Sequence, residues 1–305
     1  MKLLVLAGIA SLSCAAAVAA CSSSSNKGSP GGGDAGEGDS AKTGGDGGSS
    51  SGGGTKTYAG TITATRTPTA MTTVYTISGA FVSTPDVSVP DASAAATCPS
   101  TGTVSGSCCF VPPAAASDAG AADAGSVMFD SAGTITVSDG TTAVAALMAA
   151  SNGGYAISSA NNPSVKWTGG DTLTFSAAGG AVDAFMGSLV TVADFAGLTP
   201  ALSYTAATTV PLDADFVVKW TPGTGTGVHL FVDALKGTAQ EGAITCDASD
   251  SAGTVTVPMA LLSKLATGDT GVVTLTRSNL ATASDDNTTV DLLSTTTTGG
   301  TTKFQ

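Results

Sequence analysis

The sequence predicts an all-β protein: two β-sandwich, immunoglobulin-like domains behind a disordered Gly/Ser tether. Three observations predict it. Threonine outnumbers all the charged residues together, glycine occurs 40 times and glutamate only twice, a composition that favours strands and turns over helices. Short runs of alternating apolar and polar residues, divided by turn residues, recur from residue 58 onward, and that is the period of a half-buried strand. Residues 22–57 contain, apart from Pro30, no apolar side chain larger than Ala, so they bury nothing and are expected to be disordered.

Charge removes one class of function at once. The chain of 305 residues has 23 acidic and 11 basic side chains, a net charge of -12 and a pI near 4.1. Nucleic-acid binding needs clustered Lys and Arg to displace counterions from phosphates, and no such cluster exists here.

Residues 1–20 read as a targeting segment and are set apart from the fold. Met1-Lys2 is a short positive start, Leu3 to Ala17 is uncharged and mostly apolar, and Val18-Ala19-Ala20-Cys21 closes it with small residues. The last four resemble the lipobox of bacterial lipoproteins. The resemblance implies cleavage before Cys21, acylation of its sulfur, and acylation of the new amino terminus. Two or more acyl chains anchor a protein stably at a bilayer surface, where one alone binds marginally. The stretch between Lys2 and Cys21 is near the lower length limit for a spanning helix, but much of it is Ala and Ser. Cys14 leaves with the segment. Ser22 stands where an Asp is associated with inner-membrane retention, so the resemblance implies the outer membrane. Residues 21–57 then act as a lipid-anchored linker whose root-mean-square reach, as a Gly/Ser coil, is roughly 35 Å.

The first β domain is expected over residues 58–207. Tyr58, Gly60, Ile62 and Ala64 share one face of a strand, and Tyr75, Ile77 and Phe81 share one face of another. Ile135 and Val137 lead to an Asp139-Gly140 turn, a strong hairpin signal. Thr142 to Ala150 reads as a strand, and Ser164 to Trp167 with Thr172 to Phe175 reads as a second hairpin around Gly169-Gly170. Ala114 to Gly125 has no periodicity and reads as a loop.

The second domain, 208–305, alternates more cleanly. Phe216, Val218 and Trp220 precede a turn over Gly223 to Gly227, and Val228, Leu230 and Val232 alternate with His229, Phe231 and Asp233. Further strands are expected over 243–246, 253–257, 271–277 and 289–294, then a Gly299-Gly300 turn and a last strand to Gln305. Pro258 to Leu265 reads as a short helix with Pro at its first position. So many short strands in about a hundred residues suggest an immunoglobulin-like sandwich. The segments around Trp220 to Gly223, Ile244 to Cys246 and Gly253 to Pro258 with Leu261-Leu262 resemble the C-terminal part of uncharacterised β-rich envelope lipoproteins of Gram-negative bacteria. That resemblance implies an exported β-sandwich and assigns no activity.

Four cysteines survive removal of the targeting segment: Cys98, Cys108, Cys109 and Cys246. An exported chain favours disulfides. A bond between the neighbours Cys108 and Cys109 is sterically poor, and in a strand their side chains point to opposite faces. One of the pair is therefore expected to meet Cys98 and the other Cys246, the second bond stapling the two domains.

Chemistry-bearing patterns are sparse. His229, the only His, sits mid-strand, where packing or surface exposure is the simpler reading than acid–base work. Gly48 to Gly52 matches G-x-S-x-G by letters but falls in the linker without a strand or helix around it. The glycines at 223, 225 and 227 resemble a phosphate-cradling loop, yet they join two strands. Asp213 with Asp215, Asp247 with Asp250, and Asp285-Asp286-Asn287 are candidate carboxylate pairs or calcium ligands at strand ends, where Asp also makes turns. Trp167 and Trp220 are candidates for sugar stacking, although Trp220 alternates with core positions. The expectation is a non-enzymatic lipid-anchored envelope protein that displays β-sandwiches for binding, adhesion or envelope structure. It has no cofactor or metal, and its partners are the bilayer through Cys21 and a glycan or envelope protein. The competing expectations are a hydrolase using paired Asp carboxylates and an accessory subunit of an envelope complex.

Overall fold

The computed structural model describes residues 56–69, 72–84, 98–113 and 128–305, all within one compact unit, Gly52–Gln305. Cys21, the targeting segment, nearly all of the linker with Gly48 to Gly52, and the loop expected over 114–125 lie outside the described residues.

The fold is all-β and is organised around one long sheet. Its strands are β1 (Thr57–Pro68), β2 (Thr73–Thr84), β3 (Thr103–Ser105), β4 (Cys108–Val111), β7 (Tyr155–Ser158), β11 (Thr208–Val210), β13 (Gly227–Lys236), β14 (Ala239–Ser249), β16 (Thr270–Asp285) and β17 (Thr288–Phe304). Their order is β3-β4-β14-β13-β16-β17-β1-β2-β7, with β11 also on β17. β1 runs parallel to β17, from Tyr58 opposite Thr288 to Arg66 opposite Thr296. The edge strands are only three and four residues long, which leaves little free ladder for another chain to extend.

Two small sheets accompany the long one. The first is β6-β5-β8-β9, from β5 (Ile135–Asp139), β6 (Thr142–Leu147), β8 (Thr172–Ala177) and β9 (Phe185–Val190). The second is β10-β12-β15, from β10 (Ala196–Thr199), β12 (Phe216–Thr221) and β15 (Thr254–Val257). Alternation decides the packing. Every second residue of the long sheet points inward, and these residues form two separate cores with the small sheets. Ile62, Ile77, Phe81, Val290 and Leu292 join Ile135, Val137, Leu173, Phe175 and Leu189. Val228, Leu230, Val232, Ile244, Val273 and Leu275 join Phe216, Val218, Trp220, Val255 and Val257.

The sheet runs across the expected boundary at residues 207 and 208. β1 pairs β17, β4 pairs β14, and each core takes residues from both sides of that point. β16 and β17 are long enough to serve both cores. Their inward residues change character midway: Val290 and Leu292 are apolar, Ser294 and Thr296 are buried and polar, and Phe304 is apolar again. On β16 the buried Arg277 marks the same seam.

Three local expectations change. Residues 164–167 form no ladder, because Val165 N donates to Asn162 O in a turn, although Val165 and Trp167 are buried. Gly299-Gly300 is not a turn: β17 continues through it. The two glycines instead admit neighbours, since a Cβ on Gly299 would stand 2.9 Å from Tyr204 Oη and one on Gly300 would collide with the Ser203 backbone. The helix, α1 (Met259–Leu262), is one turn long, and Pro258 is its N-cap rather than its first residue.

Candidate interaction surface

The outward face of the long sheet is where small polar side chains gather. β1 has the repeat Thr61, Thr63, Thr65 between the inward Ile62 and Ala64, all three threonines half-buried. Register extends the pattern across strands. Asp247, His229, Thr276 and Thr297 form one rung over β14, β13, β16 and β17, and Thr245, Phe231, Thr274 and Gly299 form the next. Tyr204, 67% exposed, lies over the gap that Gly299 leaves.

Side-chain hydrogen bonds link neighbouring strands across this face. Thr276 Oγ1 and Thr297 Oγ1 share one at 3.1 Å, Thr295 Oγ1 donates to Thr65 Oγ1 at 3.1 Å, and Thr282 Oγ1 donates to Asp291 Oδ1 at 3.0 Å. His229 Nδ1 lies 2.8 Å from Asp247 Oδ1, both side chains more than a third exposed. A pair that exposed contributes on the order of 0–1 kcal/mol, so its value lies in orienting the ring more than in stability. Each threonine hydroxyl keeps further donor or acceptor capacity for a ligand.

Beneath the sheet, the polar seam is held by hydrogen bonds within the protein. Arg277 Nε donates to Asp250 Oδ1 at 2.9 Å, its Nη1 to Ala193 O and Asp194 O, and its Nη2 to Thr221 O. Its guanidinium also sits 4.4 Å from the Phe195 ring centre. Asp250 Oδ1 accepts from Trp220 Nε1 at 2.9 Å, and Oδ2 accepts from Gly223 N and Gly225 N. The glycine loop thus does cradle an anion, but the anion is the protein's own carboxylate. Glycine is required there, since a Cβ on residue 223 would lie 2.7 Å from Arg277 Nη1 and one on residue 225 would lie 2.5 Å from Arg277 Cγ.

The predicted site residues disperse. Cys109 bonds Cys98 and Cys108 bonds Cys246. Cys108 and Cys246 are directly opposite on β4 and β14, so that bond holds β4 to the second core rather than joining two separate domains. Asp247 faces outward with His229 while Asp250 is buried with Arg277, so this pair does not converge. Asp215 Oδ1 accepts from Met259 N and caps α1. Asp285 Oδ1 accepts from Asp286 N, and Asn287 Nδ2 donates to Asp183 Oδ2 at 3.4 Å. Trp167 and Trp220 are both buried, the former edge-on to Tyr75. Among the described residues, no group of three or more His, Cys, Asp or Glu side chains is placed to hold a metal ion, and no helix is long and apolar enough to cross a membrane.

Sequence reasoning missed Tyr204, and it read the TxTxT run of β1 only as a strand. The signal for Tyr204 was the glycine pair at 299 and 300, which marks a close approach but not what approaches. Compared with known proteins, the chain matches no protein-family profile and no curated protein.

Proposed function

We propose that the protein is a non-enzymatic, lipid-anchored protein of the cell envelope that binds a partner through the open face of its long sheet. The observation that carries the reading is the pair of outward rungs. They place His229, Phe231, Thr276 and Thr297 side by side on the outward face, and the exposed Tyr204 brings its Oη over Gly299 at the end of the second rung. Such a surface suits a glycan: hydroxyls exchange hydrogen bonds with sugar hydroxyls, and an aromatic ring stacks on the apolar face of a pyranose. The separate partners of Asp247, Asp250 and Asp215 support binding over carboxylate-pair hydrolysis, which needs two carboxyl groups about 5–9.5 Å apart across a cleft. The lipobox-like Val18 to Cys21, the Ser22 that follows it and the Gly/Ser linker support display from a lipid anchor in the outer membrane.

The test is a glycan-array and envelope-polysaccharide binding screen of the full chain against Tyr204→Ala and Thr276→Arg. The reading expects binding by the wild type and its loss in both variants, with circular dichroism unchanged. A wild type that binds none of these glycans, or variants that bind as well as it does, would overturn this use of the face.

A further inference from the structure

We propose that Asn287 is an acceptor for an N-linked glycan whose donor is an oligosaccharide carried on a polyisoprenyl diphosphate. The inference rests on the export reading above and adds a modification to it.

Of the six asparagines, Asn287 is the only one in an Asn-x-Ser/Thr triplet with x other than proline; Asn162-Pro163-Ser164 fails on its proline. The triplet is Asn287-Thr288-Thr289, and Asp285 precedes it by two residues, a carboxylate that a basic side chain of a transferase can hold. The fold puts this segment at a tip. Asp285 opposite Thr288 is the last pair of the β16–β17 hairpin, which leaves Asp286 and Asn287 as its turn. Asp285, Asp286 and Thr289 are exposed. The Asn287 side chain has one long hydrogen bond, to Asp183, so its amide is freed at small cost. Thr288 is buried and keeps the strand docked behind the tip, while the end pairs of a hairpin open at far lower free energy than the core.

In the transfer, the Asn287 amide nitrogen attacks the anomeric carbon of the donor sugar. The N–C bond forms, the bond from that carbon to the phosphate oxygen breaks, polyisoprenyl diphosphate leaves with the electron pair, and the amide proton passes to a base of the transferase. The Thr289 hydroxyl positions the amide. Tyr58 N donates to Asn287 O at 2.7 Å, so the tip stands beside the start of β1, where the linker enters the fold. A glycan there hydrates the hairpin tip beside the start of β1.

The test is to produce the full chain in a bacterium carrying an oligosaccharyltransferase and its lipid-linked donor. Fractionation locates the chain, and mass spectrometry reads the tryptic peptide 278–303. The proposal expects that peptide to carry the oligosaccharide in the wild type and in Thr289→Ser, and to lose it in Asn287→Gln and Thr289→Val. An exported chain with a bare 278–303 peptide overturns this proposal alone. A chain kept in the cytoplasm with residues 1–20 attached overturns the export reading and this proposal with it.

Discussion

Arg277 and Asp250 form a fully buried ion pair, Nε to Oδ1 at 2.9 Å, where the two cores of the molecule meet. Every oxygen of the carboxylate and three nitrogens of the guanidinium are engaged. Breaking such a pair leaves a buried charge without a partner, at a cost of about 3–5 kcal/mol. Arg277→Met is expected to lower the unfolding free energy by that order, read from the shift of the urea midpoint multiplied by the slope m. The double variant Arg277→Met with Asp250→Leu is expected to cost less than the sum of the single changes. A single-variant loss below about 1 kcal/mol would mean that the network is replaceable.

The glycine loop gives a sharper version of the same point. Gly225→Ala drives a methyl group into Arg277, where a Cβ would stand 2.5 Å from Cγ, whereas Gly227→Ala meets nothing nearer than 3.4 Å. Overpacking of the first kind costs about 1–3 kcal/mol. Denaturation should rank Gly225→Ala well below Gly227→Ala, and equal stabilities would contradict the packing described.

The two disulfides should differ in weight. Cys98–Cys109 closes 11 residues and Cys108–Cys246 closes 138, so chain entropy alone assigns them about 3 and about 5 kcal/mol. Paired Cys→Ser replacements at each bond, compared by thermal melting, should show the larger loss for Cys108 with Cys246. The reverse order would place the staple elsewhere.

The two faces of β1 offer a fourth comparison. Ile62 is wholly buried in the first core, and its neighbour Thr63 faces outward. Ile62→Ala should cost about 2–5 kcal/mol, and Thr63→Ala should stay within about 0.5 kcal/mol. A large loss at Thr63 would mean that another layer covers the open face.

Much of this fold was legible because alternation survives in single strands. Tyr75, Ile77 and Phe81, or Val228, Leu230 and Val232, announce their inward faces directly, and the structure buries or half-buries them accordingly. The partners of those strands were not legible. Nothing local in Thr57–Pro68 says that it lies parallel to Thr288–Phe304, more than two hundred residues away, because parallel pairing is set by packing and not by a turn. The polar seam was hidden for a related reason. Arg277, Ser294 and Thr296 break the apolar pattern of their strands, and only the meeting of two cores explains why inward positions there are polar. The disulfide partners followed from strand geometry up to the choice between Cys108 and Cys109, which depends on which of them faces the second core. For the candidate surface, the sequence held His229 and the threonine runs, while the rungs that align them and the approach of Tyr204 to Gly299 exist only in the folded sheet.

The central claim, display from a lipid anchor, is tested most directly by protease digestion of intact cells that make the wild type or Cys21→Ala. The account predicts that the wild type is membrane-bound and digested from outside, and that the variant is no longer cell-associated. A variant that stays on the membrane would contradict the anchor, and a wild type protected until the outer membrane is opened would contradict display at the surface.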